Sequence, residues 1–179
     1  MPREPFRETL TGLRVLGVHV EPLDTDAERC GLTADDLRAD VESKLAGAGL
    51  TIVPPPKLFN DVLGAPFLHL DVMTLEMEQR YAYSVRLELW QAVRLVREPV
   101  VQTMAVTWRA TPLIGTVAAG ALVGLRQSVA SVVDQFITDR QAPAPTSERS
   151  RSLVRLHCRK RTPSTSLTAC GRPGPRALR

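Results

Sequence analysis

Two stretches decide the fold: Leu13-Arg-Val-Leu-Gly-Val-His-Val-Glu21 and, past a polar loop from Asp24 to Gly31, Thr33-Ala-Asp-Asp-Leu-Arg-Ala-Asp-Val-Glu-Ser-Lys-Leu-Ala-Gly-Ala-Gly-Leu-Thr-Ile-Val53. The first is β-branched and apolar and predicts a strand. Side chains alternate across a strand, so Leu16, Val18 and Val20 share one face while Val15, Gly17 and His19 share the other. The second opens on Thr33 with Asp36 three residues later, a capping-box pattern with Asp in place of Glu. Leu37, Val41, Leu45 and Ala48 then form a single apolar stripe at helical spacing, with Arg38, Asp40, Glu42, Ser43 and Lys44 off it. Gly47 and Gly49 end the helix, because glycine readily takes the left-handed turn at a helix C-terminus. Leu50-Thr-Ile-Val53 gives a second strand, stopped by Pro54-Pro55-Pro56. The chain therefore starts β-α-β.

Beyond a loop over 57–66, two further strands alternate between an apolar and a polar face. In 67–77, Leu68, Leu70 and Val72 oppose Phe67, His69 and Asp71; in 80–97, Tyr81, Tyr83, Val85, Leu87 and Leu89 oppose Ala82, Ser84, Arg86 and Glu88. One buried and one wet face is the habit of antiparallel sheets. Glu98-Pro99 makes a turn, and 101–109 is a strand placing Gln102, Met104, Val106 and Trp108 on one side. A loop with Pro112, Gly115 and Gly120 leads to a last helix, whose stripe is Leu122, Leu125, Val129, Val132, Val133, Phe136 and Ile137, closed by Asp139-Arg140. The order β-α-β-β-β-β-α predicts an α+β two-layer sandwich, with two helices on one face of a mostly antiparallel sheet.

Charge divides the chain at about residue 140. The formal net charge is +4, but residues 141–179 carry nine Arg and Lys against Glu148 alone, so the tail holds +8 and residues 1–140 hold −4. The folded part is thus mildly acidic, which argues against a nucleic-acid-binding domain; the tail's Arg159-Lys-Arg161 run is the one basic patch that could meet a polyanion. Pro143, Pro145, Pro163, Pro173 and Pro175 among Ser, Thr and Arg predict a disordered tail. Its composition also matches read-through or out-of-frame translation of GC-rich DNA, which would end the natural domain near 139–142.

Catalytic motifs are missing: the sequence contains no G-x-S-x-G, Walker A, H-E-x-x-H or G-x-G-x-x-G. No cofactor is expected. Gly115-Thr-Val-Ala-Ala-Gly120 is a Gly-containing lead into a helix but holds no Lys or Arg, and reads as a tight connection rather than a phosphate cradle. Cys30, Cys158 and Cys170 match no zinc pattern and are expected as free thiols, with Cys158–Cys170 the only plausible disulfide. Two ideas about a site survive. Trp90 and Trp108 would end neighbouring strands and form an exposed aromatic contact for another protein. Alternatively His69 and Asp71, side by side on one strand face and joined by His19, would serve a metal, a small molecule or an enzymatic step.

Several phrases resemble a family of uncharacterised bacterial proteins, usually exported: Arg7-Glu-Thr-Leu-Thr-Gly-Leu13, Gly31-Leu-Thr33, Asp40-Val-Glu-Ser-Lys-Leu-Ala-Gly-Ala-Gly-Leu50, Tyr81-Ala-Tyr-Ser-Val85, Gln91-Ala-Val-Arg-Leu-Val-Arg97, Thr107-Trp108 and Val133-Asp-Gln-Phe-Ile137. The likeness covers roughly 7–140 and carries no assigned chemistry. The element order is also similar to the N-terminal domain of TolB and to CsgG-like lipoproteins. The family resemblance implies the periplasm or envelope, and with the missing catalytic motifs and the two-layer pattern it leads to the expectation of a non-enzymatic domain that works through protein–protein contacts. Met1-Pro-Arg-Glu-Pro-Phe-Arg-Glu8 has no apolar segment behind its charges, so as written the expectation is no signal peptide, and a cytoplasmic product if Met1 is the start.

Overall fold

The computed structural model describes residues 7–53, 65–78 and 80–142. These lie in one compact unit, Met1–Ala144; the 143–179 tail, with Cys158 and Cys170, falls outside the described residues.

The first strand and helix form where the sequence placed them. β1 (Val15–Val20) buries Leu16, Val18 and Val20. The polar segment after it contains a short helix, α1 (Thr25–Arg29), which the sequence had presented as a loop. Its cap is Asp24, whose carboxylate accepts the backbone N–H groups of Asp26 (3.0 Å) and Ala27 (2.8 Å) and the Thr74 hydroxyl. Partial burial pushes the Asp24 carboxyl up, but these donors outweigh it and hold the pKa below its ordinary value.

Helix α2 (Ala34–Gly47) starts at Thr33, whose Oγ1 accepts from Asp36 N at 3.1 Å and donates to the Asp36 carboxylate at 2.8 Å. Leu37, Val41 and Leu45 are buried against the sheet. Gly49, at φ +81°, turns the chain into β2 (Thr51–Val53). The Arg140 guanidinium ties both ends of this unit, donating to Leu13 O (3.1 Å) and Ala48 O (3.2 Å).

The sheet runs β2-β1-β3-β4-β5, with β3 (Phe67–Met77), β4 (Arg80–Arg94) and β5 (Gln102–Arg109). β1 pairs parallel with β2 and β3, whereas β3–β4 and β4–β5 are antiparallel. The β3–β4 hairpin turns at Glu78, whose φ of +53° is the left-handed conformation that tight hairpins take.

A sixth strand, β6 (Leu113–Ala118), replaces the loop expected there, so the order gains one strand. It pairs antiparallel with the first half of β4 while β5 pairs with the second half, so β5 and β6 form one interrupted strand broken at Ala110–Pro112. Gly115 is not a cradle or a hinge: it lies opposite Tyr83, and a Cβ there would sit 2.8–3.0 Å from the Tyr83 ring. The glycine makes room for an aromatic laid across the strand.

A second departure is a bulge between β4 and β5. Leu89 pairs with Trp108, but Trp90 pairs with Val106, leaving Thr107 as the extra residue. The expected common face of Gln102, Met104, Val106 and Trp108 therefore splits, because Val106 follows Trp90 and Trp108 follows Leu89. Thr107 is held in place: its Oγ1 accepts from Gln91 Nε2 (2.7 Å), and Thr9 Oγ1 donates to its carbonyl (3.0 Å). A 3-10 turn at Arg7–Leu10 is thereby pinned to the bulge, with Leu10 buried.

Helix α3 (Leu125–Gln141), entered from a 3-10 segment at Ala119–Gly124, buries Leu122, Leu125, Val129, Val132, Val133 and Phe136, the expected stripe. Helices α2 and α3 cover one sheet face around a single core. The fold is the α+β two-layer arrangement, and its other face is uncovered by any described element.

Candidate functional site

Every residue of the open sheet face follows from alternation against the core. On β3, Leu68, Leu70 and Val72 point inward, so Phe67, His69, Asp71, Met73, Leu75 and Met77 point outward. Register then arranges the face in rows. Phe67 lies opposite Trp90; His69 lies between His19 and Glu88; Asp71 lies opposite Arg86; Met73 and Ile114 flank Ser84; Leu75 and Thr116 flank Ala82.

The two ends of this face differ in chemistry. At the β1 end, the His19 and His69 rings stack at 5.5 Å and 9°, a direct consequence of their pairing in the parallel register. Glu21 reaches both: its Oε1 is 2.8 Å from His69 Nε2 and 3.7 Å from His19 Nε2. Its backbone N–H donates to Leu70 O at 2.9 Å, continuing the ladder one residue past β1 and placing Glu21 on the face of His19. Trp90 meets His69 edge-on at 6.4 Å and stacks on Phe67 at 6.3 Å. The Trp90 indole N–H is buried with no acceptor among the described residues.

The other end is apolar and wet. Met73, Leu75, Met77 and Ile114 are 60%, 66%, 46% and 77% exposed.

The sequence-predicted residues divide accordingly. His19 and His69 come together as anticipated. Asp71 does not join them, because the Arg86 guanidinium across the hairpin takes its carboxylate in an ion pair, which also raises the Arg86 pKa. The third group is Glu21, which the sequence analysis left out; its signal was the alternation Gly17, His19, Glu21 running one residue beyond the apolar strand.

Trp90 lies on the open face, half-buried, but Trp108 does not. Trp108 is 1% exposed, carried inward by the bulge, with its indole edge-on to Phe136 at 5.1 Å and its N–H donating to Asp139 Oδ2 at 3.1 Å. An exposed contact shared by the two tryptophans is therefore ruled out by the change of face at Thr107. Asp139, itself buried, also lies 2.9 Å from Arg7 Nε, an ion pair without hydrogen-bond alignment.

No protein-family model and no curated protein matches the sequence. Among solved structures, the chain is similar to a PelC dodecamer from Paraburkholderia phytofirmans, at 15% identity and a TM-score of 0.44 over 74% of this chain and 90% of that one. It is also similar to the rare lipoprotein B from Shewanella oneidensis, at 12% identity and a TM-score of 0.32 over 80% and 99% of the two chains. Such identities and scores transfer no residue role. Among the described residues, no helix is long and apolar enough to cross a membrane.

Proposed function

We propose that this chain is a non-enzymatic, bacterial envelope-type α+β domain that acts through protein–protein contacts made by the uncovered face of its sheet. The observation that supports this reading is the set of Met73, Leu75, Met77 and Ile114, all substantially exposed, the first three in a same-face row on β3 and Ile114 level with Met73 on β6, across Ser84 of β4. Isolated exposed apolar residues are ordinary on protein surfaces, whereas a contiguous group of flexible Met and branched side chains is the composition of an adaptable contact surface. Trp90 and Phe67 extend the same face toward β1. Trp108 takes no part, since it is spent on the core.

The test is site-specific photo-crosslinking in the source cells at native expression. A photoreactive residue at Leu75 or Ile114 is expected to capture one discrete protein in the envelope fraction, and the same residue at Asp35, out on helix α2, to capture none. Absence of any adduct from Leu75 and Ile114, or equal adducts from Asp35, overturns the reading.

A further inference from the structure

We propose that His19, His69 and Glu21 form a binding site for a divalent first-row transition metal of the zinc type. The site lies at the opposite end of the open face from the apolar cluster and does not depend on the contact role. One ring nitrogen of His19, one of His69 and a Glu21 carboxylate oxygen all lie within 4.8 Å of one another. In a tetrahedral zinc site with bonds near 2.0–2.1 Å, neighbouring donor atoms are about 3.4 Å apart. The two separations from Glu21 Oε1, 2.8 and 3.7 Å, bracket that value. Closing the geometry takes a rotamer adjustment of the half-exposed glutamate and a turn of the two imidazoles, stacked 9° from parallel, that aims both ring nitrogens at one centre.

The arrangement without a metal is unequal. One carboxylate oxygen faces two imidazole nitrogens and hydrogen-bonds only His69; at 3.7 Å, His19 Nε2 is too distant for a hydrogen bond. A cation between the three donors would engage all of them.

The donors are also carried on regular structure. Both imidazoles stand on paired strands and Glu21 on the hydrogen-bonded extension of β1, so little ordering is required on binding. Two imidazoles and one carboxylate favour zinc, copper or nickel over magnesium or calcium, which take all-oxygen shells. Three protein ligands leave a position open toward solvent, as in metal sites that also hold water or an exogenous group. Glu88, opposite His69, adds negative charge nearby, while Asp71 is already neutralised by Arg86.

Trp90 supplies a local reporter, because copper or nickel bound next to His69 quenches an indole lying 6.4 Å from that ring. Full-length protein would be titrated with Ni²⁺, with bound metal measured by equilibrium dialysis and tryptophan emission followed in parallel. One equivalent is expected to bind with partial quenching. His69→Ala, His19→Gln and Glu21→Gln should each weaken binding more than about a hundred-fold, beyond the 10–100-fold that loss of an outer-shell partner costs. Trp90→Phe should bind equally but lose the quench, and Asp71→Asn should change neither. Cobalt substitution should give visible d–d bands with no thiolate charge-transfer band, which separates this site from Cys30, Cys158 and Cys170. Failure to saturate at one equivalent, a thiolate band, or binding that survives His69→Ala and His19→Gln with native circular dichroism would overturn the assignment.

Discussion

Trp108 and Trp90 stand one register step apart on adjacent strands, yet one is a keystone of the core and the other belongs to the open face. Trp108 packs edge-on against Phe136 and bonds Asp139, which in turn faces Arg7, so the indole joins sheet, last helix and N-terminal turn. Among the described residues, the ring contacts of Trp90 are with Phe67 and His69 on its own face. The two faces of one sheet thus carry different work. The covered face holds the fold together, and the open face carries the residues of both proposed sites.

The sharpest way to break this contrast is to truncate each tryptophan. Trp108→Ala should lower unfolding stability by about 3–5 kcal/mol, the usual cost of emptying a buried aromatic site. Trp90→Ala should cost only about 1 kcal/mol, since the half-buried ring loses mainly its aromatic contacts. Urea denaturation of the two variants measures the difference directly, and equal losses would mean that the open face is as structural as the covered one.

Asp139 tests the same junction more gently. Asp139→Ala leaves the buried Trp108 N–H without its acceptor and removes the carboxylate facing Arg7, for an expected loss of about 2–3 kcal/mol. Asp139→Asn keeps an acceptor for the indole and should lose less. An alanine variant with wild-type stability would show that water can replace the carboxylate.

What the sequence made legible was local. The Thr33 cap, the Leu37–Val41–Leu45 stripe and the α3 stripe are set by neighbours within a few residues, and they appear where the spacing put them. What stayed hidden depends on partners far along the chain. β6 was obscured because Pro112 and Gly115 look like loop residues, although the glycine is there for the Tyr83 ring 32 positions earlier. The inward turn of Trp108 depends on a bulge fixed by Thr9, Gln91 and Thr107 together. In the candidate metal site the His19–His69 pairing was readable as two strand histidines. The choice of Glu21 over Asp71 was not, since it turns on Arg86 having taken Asp71 across the hairpin.

The Gly115–Tyr83 pair gives a third, smaller test. Gly115→Ala should cost about 1–2 kcal/mol, because the ring must swing aside to admit a methyl group. In a Tyr83→Ala background the same substitution should cost almost nothing, and this coupling is the diagnostic feature. Equal costs in both backgrounds would place the strain in the β6 backbone instead.

The smallest effect expected lies on the covered side, between the helices rather than beneath them. Arg126 at the start of α3 donates from Nε and Nη2 to the two oxygens of Asp40 on α2, both at 2.7 Å. These hydrogen bonds, with the guanidinium charge, hold the Asp40 carboxyl below its ordinary pKa. A carboxyl with a depressed pKa in the folded state stabilises above its unfolded pKa, ~3.9, and the gain disappears as pH falls through the lower folded value. Between neutral pH and about 5 the pair is therefore fully present, and in stronger acid it fades. Both side chains are more than 40% exposed, so water and salt screen the attraction and its contribution should stay below about 1 kcal/mol. Asp40→Asn should accordingly lose a few tenths of a kcal/mol at neutral pH, and the gap to wild type should close on titration into acid. A gap that persisted at low pH would mean that Asp40 acts by packing α2 against α3, not by charge. Because this contact lies outside the core, its near-neutrality beside the large cost at Trp108 would locate the cohesion of the two layers in their apolar interior rather than in the ion pair that bridges the helices.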